Sequence, residues 1–151
     1  MSFSPRLAKA AVSIALSSPW RSETADVPVP AAMCDEFCAE MARLAKMTIV
    51  GDGAEPGTQV GPIQSKDQYF KVLELIEDSK ARGTIVAGGE ALERTGRFVA
   101  PAIARDLPDD APQVREEQFG PAFPVLKYDD LDDLVARAND IIYGLAGTIL
   151  S

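Results

Sequence analysis

Ser65 opens the segment that most constrains this chain. Ser65-Lys66-Asp67-Gln68 has the form of a capping box, in which the hydroxyl accepts a first-turn amide and Gln68 reaches back to the cap. Tyr69, Val72, Leu73 and Ile76 then fall on one face of a helix. Lys80, Arg82 and Gly83 mark its end, with cations beside the last carbonyls and a glycine beyond them. At Thr84 the pattern changes to a short β-prone run that closes at Gly88-Gly89. A helix delivered straight into a strand calls for helices layered on a sheet.

The same alternation continues on both sides. Met33, Phe37, Met41 and Leu44 recur at steps of four and three, an amphipathic helix running to about Lys46. Residues 51–64 are rich in glycine and proline and read as a winding connection. Phe98 to Ile103 is a strand candidate in which Pro101 demands an edge or a bulge. Asp106 to Pro112 is an acidic, proline-containing turn. Phe123 to Tyr128 is a further strand, after which Asp129 and Asp130 can cap a helix carried by Leu131, Leu134, Val135 and Ala138 to Asn139. Tyr143-Gly144 turns the chain into a last strand, Leu145 to Leu150. The expected fold is α/β, a mainly parallel sheet with flanking helices.

Residues 1–26 stand apart as a leader or linker. Leu7, Ala11, Ile14 and Ala15 line one face of a short helix that Ser17-Ser18-Pro19 ends. The first 22 residues carry Arg6, Lys9 and Arg21, many serines and no acid, as signal and transit peptides do. Ser13 interrupts the apolar run and no clear cleavage site follows, so a loosely held helix is the preferred reading. The remainder, 27–151, has the length of one domain with a core of its own.

Composition removes several function classes. A formal net charge of −8 gives nucleic acid and anionic membranes no counter-charge. With no histidine, the chain cannot supply a Ser-His-Asp triad, a Cys-His pair or a His-containing metal site. No run of about 18 apolar residues is present to span a membrane. Cys34 and Cys38 are too few for a disulfide framework and suit a reducing compartment, hence an expected cytoplasmic location. They lie one turn apart beside the core-facing stripe. Two thiols do not close a metal site, and the neighbouring Asp35, Glu36 and Glu40 are expected to push their pKa upward. Neither a metal site nor a catalytic thiol is assigned.

Chemistry gathers at Arg115-Glu116-Glu117-Gln118-Phe119-Gly120-Pro121. Carboxylates, an aromatic and a forced turn meet there at the mouth of a strand, where α/β folds place ligand contacts. The plainer reading is that Glu116 and Glu117 are solvated charges on a turn.

Three segments in order resemble the NAD(P)-dependent aldehyde dehydrogenase superfamily. The first is Val50-Gly51-Asp52-Gly53 with Pro56-Gly57-Thr58-Gln59-Val60-Gly61-Pro62. The second is Glu116 to Pro121 with Pro124-Val125, and the third is Ala138-Asn139-Asp140 leading to Tyr143-Gly144-Leu145-Ala146. The helix bearing Asp35-Glu36-Phe37 and the pair Gly88-Gly89 fit as well. The resemblance covers about Val27 to Ser151 and implies part of a catalytic domain. The family oxidises aldehydes to carboxylic acids: a cysteine thiolate attacks, hydride passes to NAD or NADP, and a glutamate activates water. The resemblance also implies that Glu117 holds the hydroxyls of the nicotinamide-side ribose and that Phe119 packs beside the nicotinamide. A carboxylate suits ribose because it accepts from two hydroxyls.

The departures bear equally on function. The family's nucleophile lies just before the Asp35-Glu36-Phe37 helix, and Trp20 to Thr24 hold no cysteine. Cys34 and Cys38 do not carry that motif. The general-base glutamate, the oxyanion-stabilising asparagine and the dinucleotide-binding portion have no counterpart. The expectation is a partial domain, inactive alone, with weak or no NAD(P) binding. The alternative is a non-catalytic module that pairs with itself or with a fuller aldehyde dehydrogenase chain.

Overall fold

The computed structural model describes residues 26–140, 142 and 143. The expected leader helix and the expected last strand, Leu145 to Leu150, lie outside the described residues. In chain order the elements are β1 (Val27–Pro30), a single 3₁₀ turn, α1 (Cys34–Met47), α2 (Lys66–Arg82), β2 (Thr84–Ala87), β3 (Ala102–Arg105), the one-turn α3 (Pro112–Arg115), β4 (Ala122–Tyr128) and α4 (Leu131–Asn139). The sheet has four strands in the order β1-β4-β3-β2. β1 and β3 run parallel to β4, and β2 runs antiparallel to β3 with a register shift between Ile85 and Ala87. The mainly parallel α/β architecture is therefore present.

Period-two alternation divides the core between the two faces of the sheet. Ile103, Phe123 and Val125 point to one face, where Phe37, Cys38, Met41 and Ala45 of α1 cover them. Ala102 and Ala122 point to the other, under Val72 and Ile76 of α2. Ala104 faces that same side and packs with Leu107, Ala111 and Val114 around α3. Three small alanines on this face let α2 and α3 approach the sheet closely.

Two expectations need correction. Phe98 to Ile103 was expected as an edge or bulged strand, yet β3 starts at Ala102 and lies between β4 and β2. Pro101 sits one residue before the ladder, so its missing N–H removes no strand bond. It packs instead against Gly88, whose positive φ of 63° and bare α-carbon let the chain approach the Pro101 carbonyl. The capping box is only half made. Ser65 accepts from the Gln68 amide at 3.1 Å, but the Gln68 side chain turns outward and donates to the carbonyl of Gln118. A tertiary contact in which Gln68 donates takes the place of the local one, in which its side-chain oxygen would accept the Ser65 N–H. Pro124, inside an interior strand, is tolerated because the β1 ladder begins one residue later, at Val125.

Candidate functional site

Glu116 to Pro121 form the link between α3 and β4. Arg115 is the last residue of α3, and its guanidinium binds the carbonyl and carboxylate of Asp140. The link enters the amino end of β4. Ligands in α/β sheets usually gather at the carboxyl ends of strands. The strand-mouth expectation for this loop is therefore corrected: the loop stands at the opposite end of β4 from the one that expectation requires.

This loop is fastened to α2 at successive residues. Lys71 donates to the Glu117 carbonyl at 3.2 Å and pairs with the Glu116 carboxylate at 3.4 Å. Gln68 holds the Gln118 carbonyl. Gly120 abuts Val72, and a Cβ there would lie 2.5 Å from Val72 Cγ2. The Pro121 carbonyl accepts from the Ala102 amide at 2.7 Å, which joins the loop's end to the start of β3.

Within the loop, burial deepens from Glu116 to Gln118 and is lost again at Phe119. Gln118 is buried and its Nε2 donates to the Gln113 carbonyl. Phe119 adopts a left-handed conformation, φ 45°, and the residue is 46 % exposed. That backbone region is unfavourable for a bulky residue and persists only when the surroundings impose it. Glu117 is half-buried, and its carboxylate takes no hydrogen bond from any described residue. Glu116 is exposed and already occupied by Lys71. The two residues singled out from sequence thus present a carboxylate without a hydrogen bond and an open aromatic ring from one loop fastened to α2. Alongside, a cleft of about 260 Å³ is lined by Lys71, Glu74, Leu75, Asp78, Pro112 and Glu116.

Sequence reasoning missed the polar support beneath the loop. Gln113 is fully buried on α3, where its side-chain oxygen and the Leu75 carbonyl share the single hydroxyl proton of Ser79 of α2. Only Ser79 left a signal, as a polar residue three positions after Ile76 on the apolar face of α2.

Cys34 and Cys38 are buried under the opposite face, with their sulfurs 4.0 Å apart. Cys38 is pushed up to about 12, first by burial and then by Cys34. The expected cause, the acids Asp35, Glu36 and Glu40, is corrected: loss of water around the sulfur dominates. Among the described residues no group of three or more His, Cys, Asp or Glu side chains could hold a metal ion. No described helix is long and apolar enough to cross a membrane.

A sequence profile of the aldehyde dehydrogenase family matches residues 22–151. Among curated proteins, the mitochondrial aldehyde dehydrogenase of Leishmania tarentolae is 45 % identical over 116 residues, 76 % of this chain and 23 % of the relative. Betaine aldehyde dehydrogenase of Vibrio vulnificus is 40 % identical over 130 residues, 83 % of this chain and 27 % of the relative. Among solved structures, an NAD⁺ complex of a Bacillus cereus aldehyde dehydrogenase superposes with TM-score 0.76 at 36 % identity, covering 80 % of this chain and 25 % of that one. A Pseudomonas syringae aldehyde dehydrogenase mutant in complex with NAD⁺ and octanal gives TM-score 0.83 at 29 % identity, over 92 % of this chain and 30 % of that one. The chain spans about a quarter of the length of the curated relatives.

Proposed function

Because the chain belongs to the aldehyde dehydrogenase family, we propose that it carries the nicotinamide-ribose wall of such an enzyme's catalytic domain and does not oxidise aldehydes alone. One observation supports this reading above the others: the loop is anchored through its carbonyls to Lys71 and Gln68, which leaves the Glu117 carboxylate and the Phe119 ring unengaged. Glu117 would accept from both ribose hydroxyls, and Phe119 would lie against the nicotinamide. The bound dinucleotide would supply the hydride acceptor. This donor set fits the ribose–nicotinamide end only. The glycine-rich loop over 51–64 lacks the strand–glycine–helix order that cradles phosphates.

The inactivity follows from the same inventory. Both cysteines of the chain, Cys34 and Cys38, are buried in the core under α1, and burial disfavours the Cys38 thiolate. The test is to incubate the purified chain with several aldehydes and NAD or NADP and follow NAD(P)H absorbance. No turnover is expected, and turnover by this chain alone would overturn the reading. Calorimetry is expected to show very weak dinucleotide binding or none, and a low-micromolar Kd would contradict it. A cytoplasmic location belongs to the same reading and rests on cysteine usage alone.

A second reading, a non-catalytic module pairing with itself or with a fuller aldehyde dehydrogenase chain, is favoured by α4. Leu131 and Val135, one turn apart, are 65 % and 57 % exposed, and Ile142 beyond the helix is 86 % exposed. Such an apolar strip is a common mark of an interface. Light scattering on a gel-filtered sample decides: a clean monodisperse monomer would remove self-association.

A further inference from the structure

We infer that Gln118 is a positioning residue, whose buried amide holds Phe119 in its left-handed, ring-out conformation and fixes the backbone that carries Glu117. The inference rests on the proposed nicotinamide-side role of Glu117 and Phe119, and concerns how that geometry is maintained. Phe119 has φ 45° and an exposed ring, so its own packing cannot hold the unfavourable backbone in place. What holds it must act on its neighbours. Gly120 on one side is wedged against Val72. Gln118 on the other is 2 % exposed and is gripped at both ends. Its Nε2 donates to the Gln113 carbonyl on α3, and its own carbonyl accepts from Gln68 on α2.

The far anchor is itself fixed. Gln113 is 0 % exposed, and its Oε1 accepts from Ser79 Oγ. A chain of polar contacts therefore runs from α2 through Ser79 and Gln113 to Gln118 and back to α2 through Gln68. The contacts tie the backbone of residues 117–119 to α2 and α3 at defined points. Gln113 Nε2 already lies buried without a partner, so losing the Gln118 amide would strand a second polar group, the Gln113 carbonyl. An apolar side chain of the same size would fill the same space. It would not specify where the backbone of residues 117–119 goes.

The experiment uses the full chain without dinucleotide. Nitrogen-15 relaxation is measured for the parent and for Gln118→Met, which keeps the volume and removes the amide. In the parent, residues 117–120 are expected at order parameters of about 0.85, as in α2 and β4. In Gln118→Met they are expected below about 0.6 while α2 and β4 stay rigid. A loop that stays as rigid as β4 in this variant would overturn the inference. Gln118→Glu supplies an independent check through pH. Its ionised carboxylate cannot donate to the Gln113 carbonyl, whereas the protonated form can. The loop is expected to be mobile at neutral pH and to regain order on acidification. Mobility unchanged by pH would count against the amide's role. No dinucleotide is present, so failure here leaves the assignment of Glu117 and Phe119 intact. Conversely, absence of any nicotinamide contact would defeat that assignment without touching this one.

Discussion

At the residue scale, three positions carry consequences. Gly120 has no room for a methyl group, since a Cβ would press on the fully buried Val72. Gly120→Ala is expected to lower the unfolding free energy by about 1–3 kcal/mol, the usual cost of overpacking, seen as a lower urea midpoint with unchanged slope. Asp26 is mostly buried with one carboxylate oxygen unpartnered, and burial raises its pKa from 3.8 to about 7. A raised carboxyl favours the protonated folded state. Its contribution is therefore full below 3.8 and is lost as pH rises through about 7. Asp26→Asn is expected to flatten the fall of stability across that window, as read from urea titrations at successive pH values. A variant falling as steeply as the parent would refute the assignment. Cys38 should resist a thiol reagent in the native state at neutral pH, because burial holds the sulfur protonated. Labelling is expected to become fast only in denaturant.

At the element scale, α2 is the beam on which the site loop is built. Its amino end is capped by Ser65, its flank donates from Gln68 and Lys71, and Val72 closes on Gly120. Ser65→Ala is expected to cost about 1 kcal/mol, measured by denaturant unfolding. The period of the apolar residues and the cap were legible in sequence. The destination of the Gln68 side chain was not, because the cap N–H, which its oxygen would accept, and the Gln118 carbonyl, to which its nitrogen donates, call for different placements of one amide group. Similarly, Pro101 suggested an edge strand when it merely stands before an interior one. The helical turn Pro112–Arg115 escaped notice because four residues are too few for a period to show. At the other end of the sheet, Asp130 caps α4 by accepting from the amides of Asp132 and Asp133, as its position before an apolar-periodic run implied.

At the scale of the whole molecule, the sheet separates two functions. One face packs with α1 and buries both cysteines. The other carries α2, α3 and the loop that presents Glu117 and Phe119. α4 is different, since none of its residues is buried. Arg137 ties it to Asp109 at 2.6 Å and to the Lys127 carbonyl at 3.1 Å. Replacing Leu131 and Val135 together by glutamine should change stability by no more than about 0.5 kcal/mol, since both side chains are exposed. If the chain self-associates through this strip, the same double variant lowers the mass seen by light scattering. An undiminished oligomer would place the contact elsewhere.

Sequence alone determined the element types, the layered α/β class and the family, because these rest on local period, caps and ordered short motifs. It drew attention to the Arg115–Pro121 segment, and the family resemblance then singled out Glu117 and Phe119 within it. Tertiary structure alone decided that β3 is interior, that the site loop enters the amino end of β4, and that Cys38 is raised by burial. It alone decided that Ser79, Gln113 and Gln118 form the loop's support. Each of these depends on which distant segments meet. A chain read in order shows its local preferences, but not the partner that a buried donor or a strand edge will find.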